Sequence, residues 1–196
     1  MSRSISGYTI REYTAADEQS WLRCRVLGFL DTAYFDDVWR TKPPIAAPGV
    51  ELVAADEHGA IAAIMDVAVE GALATIETVA VHPDHRRRGL GRALLEAATA
   101  RAVASSATTL DAWTRDDPDT LSWYHATGFA ESDHYLHVYA NHYTDAGEPK
   151  RAVATPRPGL HPMMLFLHAK LADEQRMREE FARVHVCRRF SKQLPD

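Results

Sequence analysis

The feature that most constrains this chain is a strand that gives way, within a few residues, to a helix opened by glycines. Residues 74–81 read as a strand, Pro83 stops it, and Arg86-Arg87-Arg88-Gly89-Leu90-Gly91 leads into a segment with Leu90, Leu94, Ala97 and Ala98 at i, i+4, i+7 and i+8. That spacing predicts a helix to about Val103. The first four N–H groups of a helix lack an intrahelical partner and lie at the positive end of its dipole, so backbone amides there can hold a phosphate. Gly89 and Gly91 remove side chains where a diphosphate would approach, and Arg86, Arg87, Arg88 and Arg92 add positive charge. The loop therefore suits a ligand that carries a pyrophosphate. It is neither of the two common nucleotide loops, because no lysine follows Gly91 and three spaced glycines after a first strand are absent.

Alternation and punctuation predict the elements around it. Tyr8 to Tyr13 reads as a strand and Asp17 as the cap of a helix carrying Trp21, Leu22, Val26, Phe29 and Leu30. Tyr34, Phe35, Val38 and Trp39 read as a second short helix ended by Pro43-Pro44. Val50 to Ala55 and Ala60 to Val69 flank the Glu57-His58-Gly59 turn as a hairpin. Thr109 to Thr114 is a strand, Asp117-Pro118 starts a helix that Gly128 ends, and Phe129 to Tyr139 resumes as strand. Asn141 to Pro162, rich in Gly and Pro, reads as a loop or long hairpin connection. Met163 to His168 follows as strand, Ala172 to Ala182 as a charged helix and Val184 to Phe190 as a last strand. The expected fold class is α/β: a mixed, mostly antiparallel sheet with helices on both faces, and an extended C-terminal segment over 141–196.

Composition narrows the classes of function. The 196 residues allow one domain, 1–196, and 46% hydrophobic residues exclude wholesale disorder. A net charge of −5 argues against a general nucleic-acid binder, so an anionic ligand is expected to be local and small. The longest aliphatic run, Ala60 to Met65, is too short to cross a bilayer, and Met1 to Ile10 has no secretory pattern, so the expected location is cytoplasmic with no membrane partner. Cys24 and Cys187 do not make a disulfide framework. His134 and His137 differ by an odd number, pointing to opposite faces of a regular strand; with His142 they lack a Cys or a paired carboxylate, so no metal is expected.

Extended by Val79-Ala80-Val81-His82-Pro83 before it and Arg92-Ala93-Leu94-Leu95 after it, Arg86-x-x-Gly89-x-Gly91 resembles motif A of the GNAT superfamily of acyl-CoA-dependent N-acyltransferases. Trp123-Tyr124-His125-Ala126-Thr127-Gly128-Phe129 resembles its motif B. The resemblance is clearest from about Val50 to Tyr139; Trp21 to Asp37 resembles an uncharacterised bacterial branch, and the tail after Asn141 is less typical. The resemblance implies a GNAT-type sheet and an acetyl-CoA cosubstrate, its pyrophosphate on the amides from Arg86 through Leu90 to Arg92 and its pantetheine along Val79, Ala80 and Val81. It implies acetyl transfer to a primary amine of a small molecule or peptide, and it leaves a homodimer open.

Such a transfer needs a neutral amine and a proton for the departing thiolate. Tyr124 stands where the family often has its general acid, also in contact with the cofactor; a phenol stays protonated at neutral pH, and the alternative is a packed helix tyrosine. Glu77, on the strand before the loop and two residues from Val79, is on the same face by alternation. The family often uses such a glutamate to deprotonate the amine, directly or through water; the alternative is a structural ion pair. His82 and Asp111 are reserves for that role. Asp117 stands where many members have an asparagine on the pantetheine arm, or it is simply a helix N-cap. The substrate side in the family is walled by the first helices, which here offer Phe29, Tyr34, Phe35, Asp36 and Asp37, beside Asp31 and Trp39. These aromatics and carboxylates would favour a cationic acceptor, or serve as core and caps. Two other readings stay open: a non-catalytic acyl-CoA-binding module, and an interaction protein that uses the C-terminal segment or the 172–182 helix.

Overall fold

The computed structural model describes residues 3–5 and 7–195. Nine strands form one sheet in the order β1-β2-β3-β4-β5-β6-β9-β7-β8. They are β1 (Arg3–Ile5), β2 (Tyr8–Glu12), β3 (Val50–Ala55), β4 (Ile61–Glu70), β5 (Leu73–Val81), β6 (Thr109–Thr114), β7 (Ala130–Asn141), β8 (Met164–Ala169) and β9 (Arg183–Gln193). The helices are α1 (Glu18–Phe29), α2 (Leu90–Ala104), α3 (Pro118–Ala126), α4 (Glu148–Ala152) and α5 (Glu174–Glu180). Every strand pair is antiparallel except β5 with β6. The mixed, mostly antiparallel sheet is thus the expected one. Among the described residues no helix is long and apolar enough to cross a membrane.

Two helices sandwich the first half of the sheet. The α2 face buries Leu90, Leu94 and Ala98 against Leu52, Met65 and Val67. On the other face α1 lays Trp21 and Cys24 on Val53, Ile64 and Ala80. Gly28 permits this approach: a Cβ there would stand 3.0 Å from the Ala80 Cβ and 3.2 Å from the Val81 carbonyl oxygen. Among the described residues, helices cover only one face of the second half. There α3 and α5 pack on Phe190, Leu136, Val138, Val184 and Val186, while Tyr135, His137, Tyr139, Phe166 and His168 form ring contacts on the opposite face.

Three stretches differ from the sequence reading. The expected second helix at 34–39 is a run of turns, because its aromatic residues are held by side chains of other elements and not by each other at helical spacing. The 141–162 connection contains α4, anchored by buried Glu148, which accepts from the amides of Asn141 at 2.7 Å and Ala182 at 2.6 Å. The last strand, expected over Val184 to Phe190, runs from Arg183 to Gln193, and β9 pairs with both β6 and β7 and so joins the two halves of the sheet.

Candidate active site

Strands β5 and β6 pair only from Leu73 with Thr109 to Ile76 with Ala112; beyond that they part, although β5 runs on to Val81 and β6 to Thr114. The opening is the floor of a cleft of about 390 Å³ bounded by Glu77 to Val81 on one side, Trp113 and Thr114 on the other, and the C-terminal end of α1 above. His82 donates its amide to the Ala62 carbonyl at 2.9 Å on β4. Since alternate residues of an antiparallel strand point their polar groups to opposite sides, the backbone groups of Val79 and Val81 face the opening, while Ala80 faces β4.

One end of the cleft is the glycine loop. Arg87 (φ +61°) and Gly89 (φ +78°) take left-handed conformations that turn the chain into α2, and Gly89 is the α2 N-cap. A side chain at Gly89 would be strained at that φ. Among the described residues, the amides of 87–92 have no acceptor, which leaves six consecutive N–H groups at a helix start. A Cβ on Gly91 would sit 3.5 Å from the Trp123 indole nitrogen. The arginines are less free than the sequence suggests. Arg86 donates to the Gly28 carbonyl at 3.0 Å, Arg88 to the Tyr8 hydroxyl at 2.8 Å, and Arg92 to the Ala126 carbonyl at 3.3 Å. Arg87 has no side-chain partner among the described residues. Their charge remains beside the unpaired amides, so the loop fits a diphosphate.

The other end holds the titratable groups. Tyr124 is 2% exposed, stacks on Phe190 at 5.1 Å and lines the cleft; its hydroxyl has no hydrogen bond among the described residues. Burial, with Tyr34 nearby, pushes its pKa well above the ordinary phenol value, so it holds its proton at neutral pH. Glu77 is the unpaired residue of a β-bulge: Asp66 is opposite Thr78 and Val67 opposite Ile76. The bulge breaks the alternation on which the same-face expectation rested. Val79 and Val81 pack toward α2, whereas Glu77 looks with Thr78 and Asp66 to the α1 side. Glu77 has no ion pair or hydrogen bond among the described residues.

Asp117 accepts from the Thr120 amide and hydroxyl, each at 3.1 Å, as the N-cap of α3, at the cleft edge. Of the expected substrate wall, Phe29 and Tyr34 line the cleft, as does Asp37. Asp37 is neutralised, with Arg25 at 2.7 Å and the Trp39 indole donating at 3.0 Å. Phe35 and Asp36 lie outside it: Asp36 forms a two-pronged pair with Arg183 at 2.6 and 2.9 Å, and Phe35 lies under the same guanidinium. Of the acidic-aromatic wall expected from that segment, Asp31 and Trp39 also line the cleft, while Arg183 draws Asp36 and Phe35 away from it and Arg25 pairs with Asp37. Of the reserves, His82 accepts from the Asp84 amide at 3.3 Å and Asp111 lies 3.8 Å from Arg189; neither lines the cleft.

Sequence reasoning missed Arg115. It is buried, lies 4.1 Å over the Tyr34 ring, donates its amide to the Tyr34 hydroxyl at 3.1 Å, and gives its guanidinium to the Ala33 carbonyl, the Tyr139 hydroxyl and His137. It pins the turns after α1 to the sheet. It also missed Asp66, a buried strand carboxylate whose only sequence signal is a charge inside an aliphatic run.

Residues 48–131 match the family described as Acetyltransferase (GNAT) domain. A mycothiol acetyltransferase from Clavibacter michiganensis is 27% identical over 136 residues, 65% of this chain and 44% of that protein. One from Stackebrandtia nassauensis is 31% identical over 112 residues, 55% and 36%. The chain thus matches less than half the length of either relative. Among solved structures, the ribosomal-protein-S18-alanine N-acetyltransferase from Escherichia coli superposes with a TM-score of 0.59 at 16% identity, covering 96% of this chain and 95% of that one. A GNAT family acetyltransferase from Elizabethkingia anophelis with acetyl-CoA bound gives 0.55 at 15% identity, covering 96% and 99%.

Proposed function

We propose that this chain, whose residues 48–131 match the family described as Acetyltransferase (GNAT) domain, transfers an acetyl group from acetyl-CoA to a primary amine. The observation that carries this is the continuity of one cleft from Gly91 and Arg86, beside the unpaired amides, along the free edge of β5 to Tyr124 and Glu77. Unpaired N–H groups at the start of α2 would hold the diphosphate, and the open backbone groups of Val79 and Val81 would receive an amide-bearing arm. Bound acetyl-CoA supplies an activated acyl group as a thioester. Glu77, displaced by the bulge and free of partners, would accept the proton of an incoming ammonium at its carboxylate. Tyr124 Oη would supply the proton that a departing thiolate needs, and among the described residues no acceptor competes for it.

The test has two arms. Acetyl-CoA should raise the melting temperature by mass action, and Gly89→Val should remove most of that shift. In a thiol-release assay over an amine panel, Tyr124→Phe should lower turnover by roughly 10²-fold with cofactor affinity nearly unchanged. A full thermal shift in folded Gly89→Val would refute the cradle. A thermal shift with no thiol release on any amine would make the chain a binding module.

A further inference from the structure

A second cavity, also about 390 Å³, lies on the α1 side of the sheet under the 43–46 strap, and shares Trp39, Glu77 and Thr78 with the cleft. The two spaces therefore meet at the bulge. Its walls are apolar, built from Trp39, the Pro43-Pro44-Ile45-Ala46 strap and Ala68; the carboxylates are those of Asp66 and Glu77. The charge there is unbalanced. Lys42 lies 3.0 Å from Asp66 Oδ2 and also binds Glu51, so one ammonium serves two carboxylates, and among the described residues Glu77 has no cationic partner. Arg25, whose charge is felt at Asp66, is engaged by Asp37. Asp66 Oδ1 is buried without a hydrogen-bond partner, a deficit that a donor would relieve.

We infer that this cavity is the acceptor subsite, and that the acceptor is a primary amine on a hydrophobic body, aromatic or branched aliphatic, with its ammonium at Glu77 and Asp66. The inference rests on the acetyl-transfer reading and names its substrate class. Apolar walls reward a hydrocarbon body, and the unbalanced carboxylates reward one cation at its end. A sugar phosphate would bring an anion beside Asp66 and Glu77, and a diamine would place a second ammonium against Pro43 and Ile45 without a partner. Burial pushes the Asp66 pKa up to about 6, so a cation close by would return it to the charged form.

The experiment compares phenethylamine and isoamylamine with putrescine and glucosamine 6-phosphate, by thiol release from acetyl-CoA and by calorimetric titration of each amine with unacylated CoA present. The apolar amines should bind at least roughly tenfold more tightly than the other two. Ala68→Phe, which fills the cavity from β4, should weaken their binding by roughly tenfold and leave the acetyl-CoA thermal shift unchanged. Ala46→Leu on the strap outside the sheet replaces it if that variant does not fold. Equal binding of putrescine or the sugar phosphate, or unchanged binding in the filled variant, overturns the inference. Absence of thiol release with every amine counts against acetyl transfer, while the titration still decides what the cavity takes.

Discussion

The two halves of the sheet are held by different physics. From β2 to β5, both faces are covered and the contacts are aliphatic: Leu52, Ile64, Met65 and Leu94 are fully buried between α1 and α2. From β6 to β8, the face on the α1 side carries no helix among the described residues. There Arg115 and Arg183 tie the 33–36 turns to Tyr139 and His137, and rings stack on rings. Burial is non-directional and stabilises in proportion to area. Charge-assisted hydrogen bonds add less net free energy but fix geometry. The cleft lies where the two regimes meet, with a rigid side that carries the glycine loop and a wall whose shape is set by two arginines.

That contrast can be broken by substitution. Leu94→Ala should cost about 2–5 kcal/mol, the range for a fully buried leucine, measured by denaturant unfolding; a loss below about 1 kcal/mol would mean burial does not hold the first half. Arg115→Ala should cost about 1–3 kcal/mol by leaving its acceptors without a donor, and should speed proteolysis in the 30–42 turns. Arg115→Lys should rescue little, because an ammonium lacks the fork that spans three acceptors. A cost above that of Leu94→Ala would erase the distinction.

A smaller effect separates the halves by pH. Asp66, in the first half, has a folded pKa raised to about 6 by burial, so between about pH 4 and 6 the folded state binds more protons than the unfolded one, and this group makes stability fall as pH rises. His137, in the second half, is depressed to about 4 by burial and by Arg115, so it makes stability rise over about pH 4 to 6.5. Melting curves across that window should turn more positive in slope for Asp66→Asn and more negative for His137→Gln; identical slopes would remove both assignments. The smallest effect is expected at Phe166, 53% exposed on the face without a helix: Phe166→Ala should stay within about 1 kcal/mol of wild type.

What was legible in the sequence was local. The glycine loop, α2 and the hairpin of β3 and β4 announce themselves because their periodicity and turn chemistry lie within twenty residues. The 34–39 turns were misread because Tyr34 and Trp39 satisfy contacts with Arg115 and Arg25, not with neighbours three or four residues away. The same holds for Asp36, whose pairing with Arg183 spans most of the chain. Glu77 was misplaced by one residue of bulge, which alternation cannot register. For Tyr34 and Asp36 the deciding partner lies more than eighty residues away, and for Trp39 and Glu77 it is a contact or a bulge that no helical or strand period encodes.

The placement of β9 has a kinetic consequence. It follows every other strand in sequence yet sits between β6 and β7, pairing Thr109 with Gln193 and Ala130 with Ser191. Closing the 83-residue span between Thr109 and Gln193 carries a large loop entropy before any contact repays it. The first half can collapse around α2 from local pairings, but Phe190 cannot reach Tyr124 until residues 183–193 have docked. The glycine-loop end of the cleft should therefore be ordered before the Tyr124 end, so a chain arrested during synthesis would hold the loop without the wall that faces it.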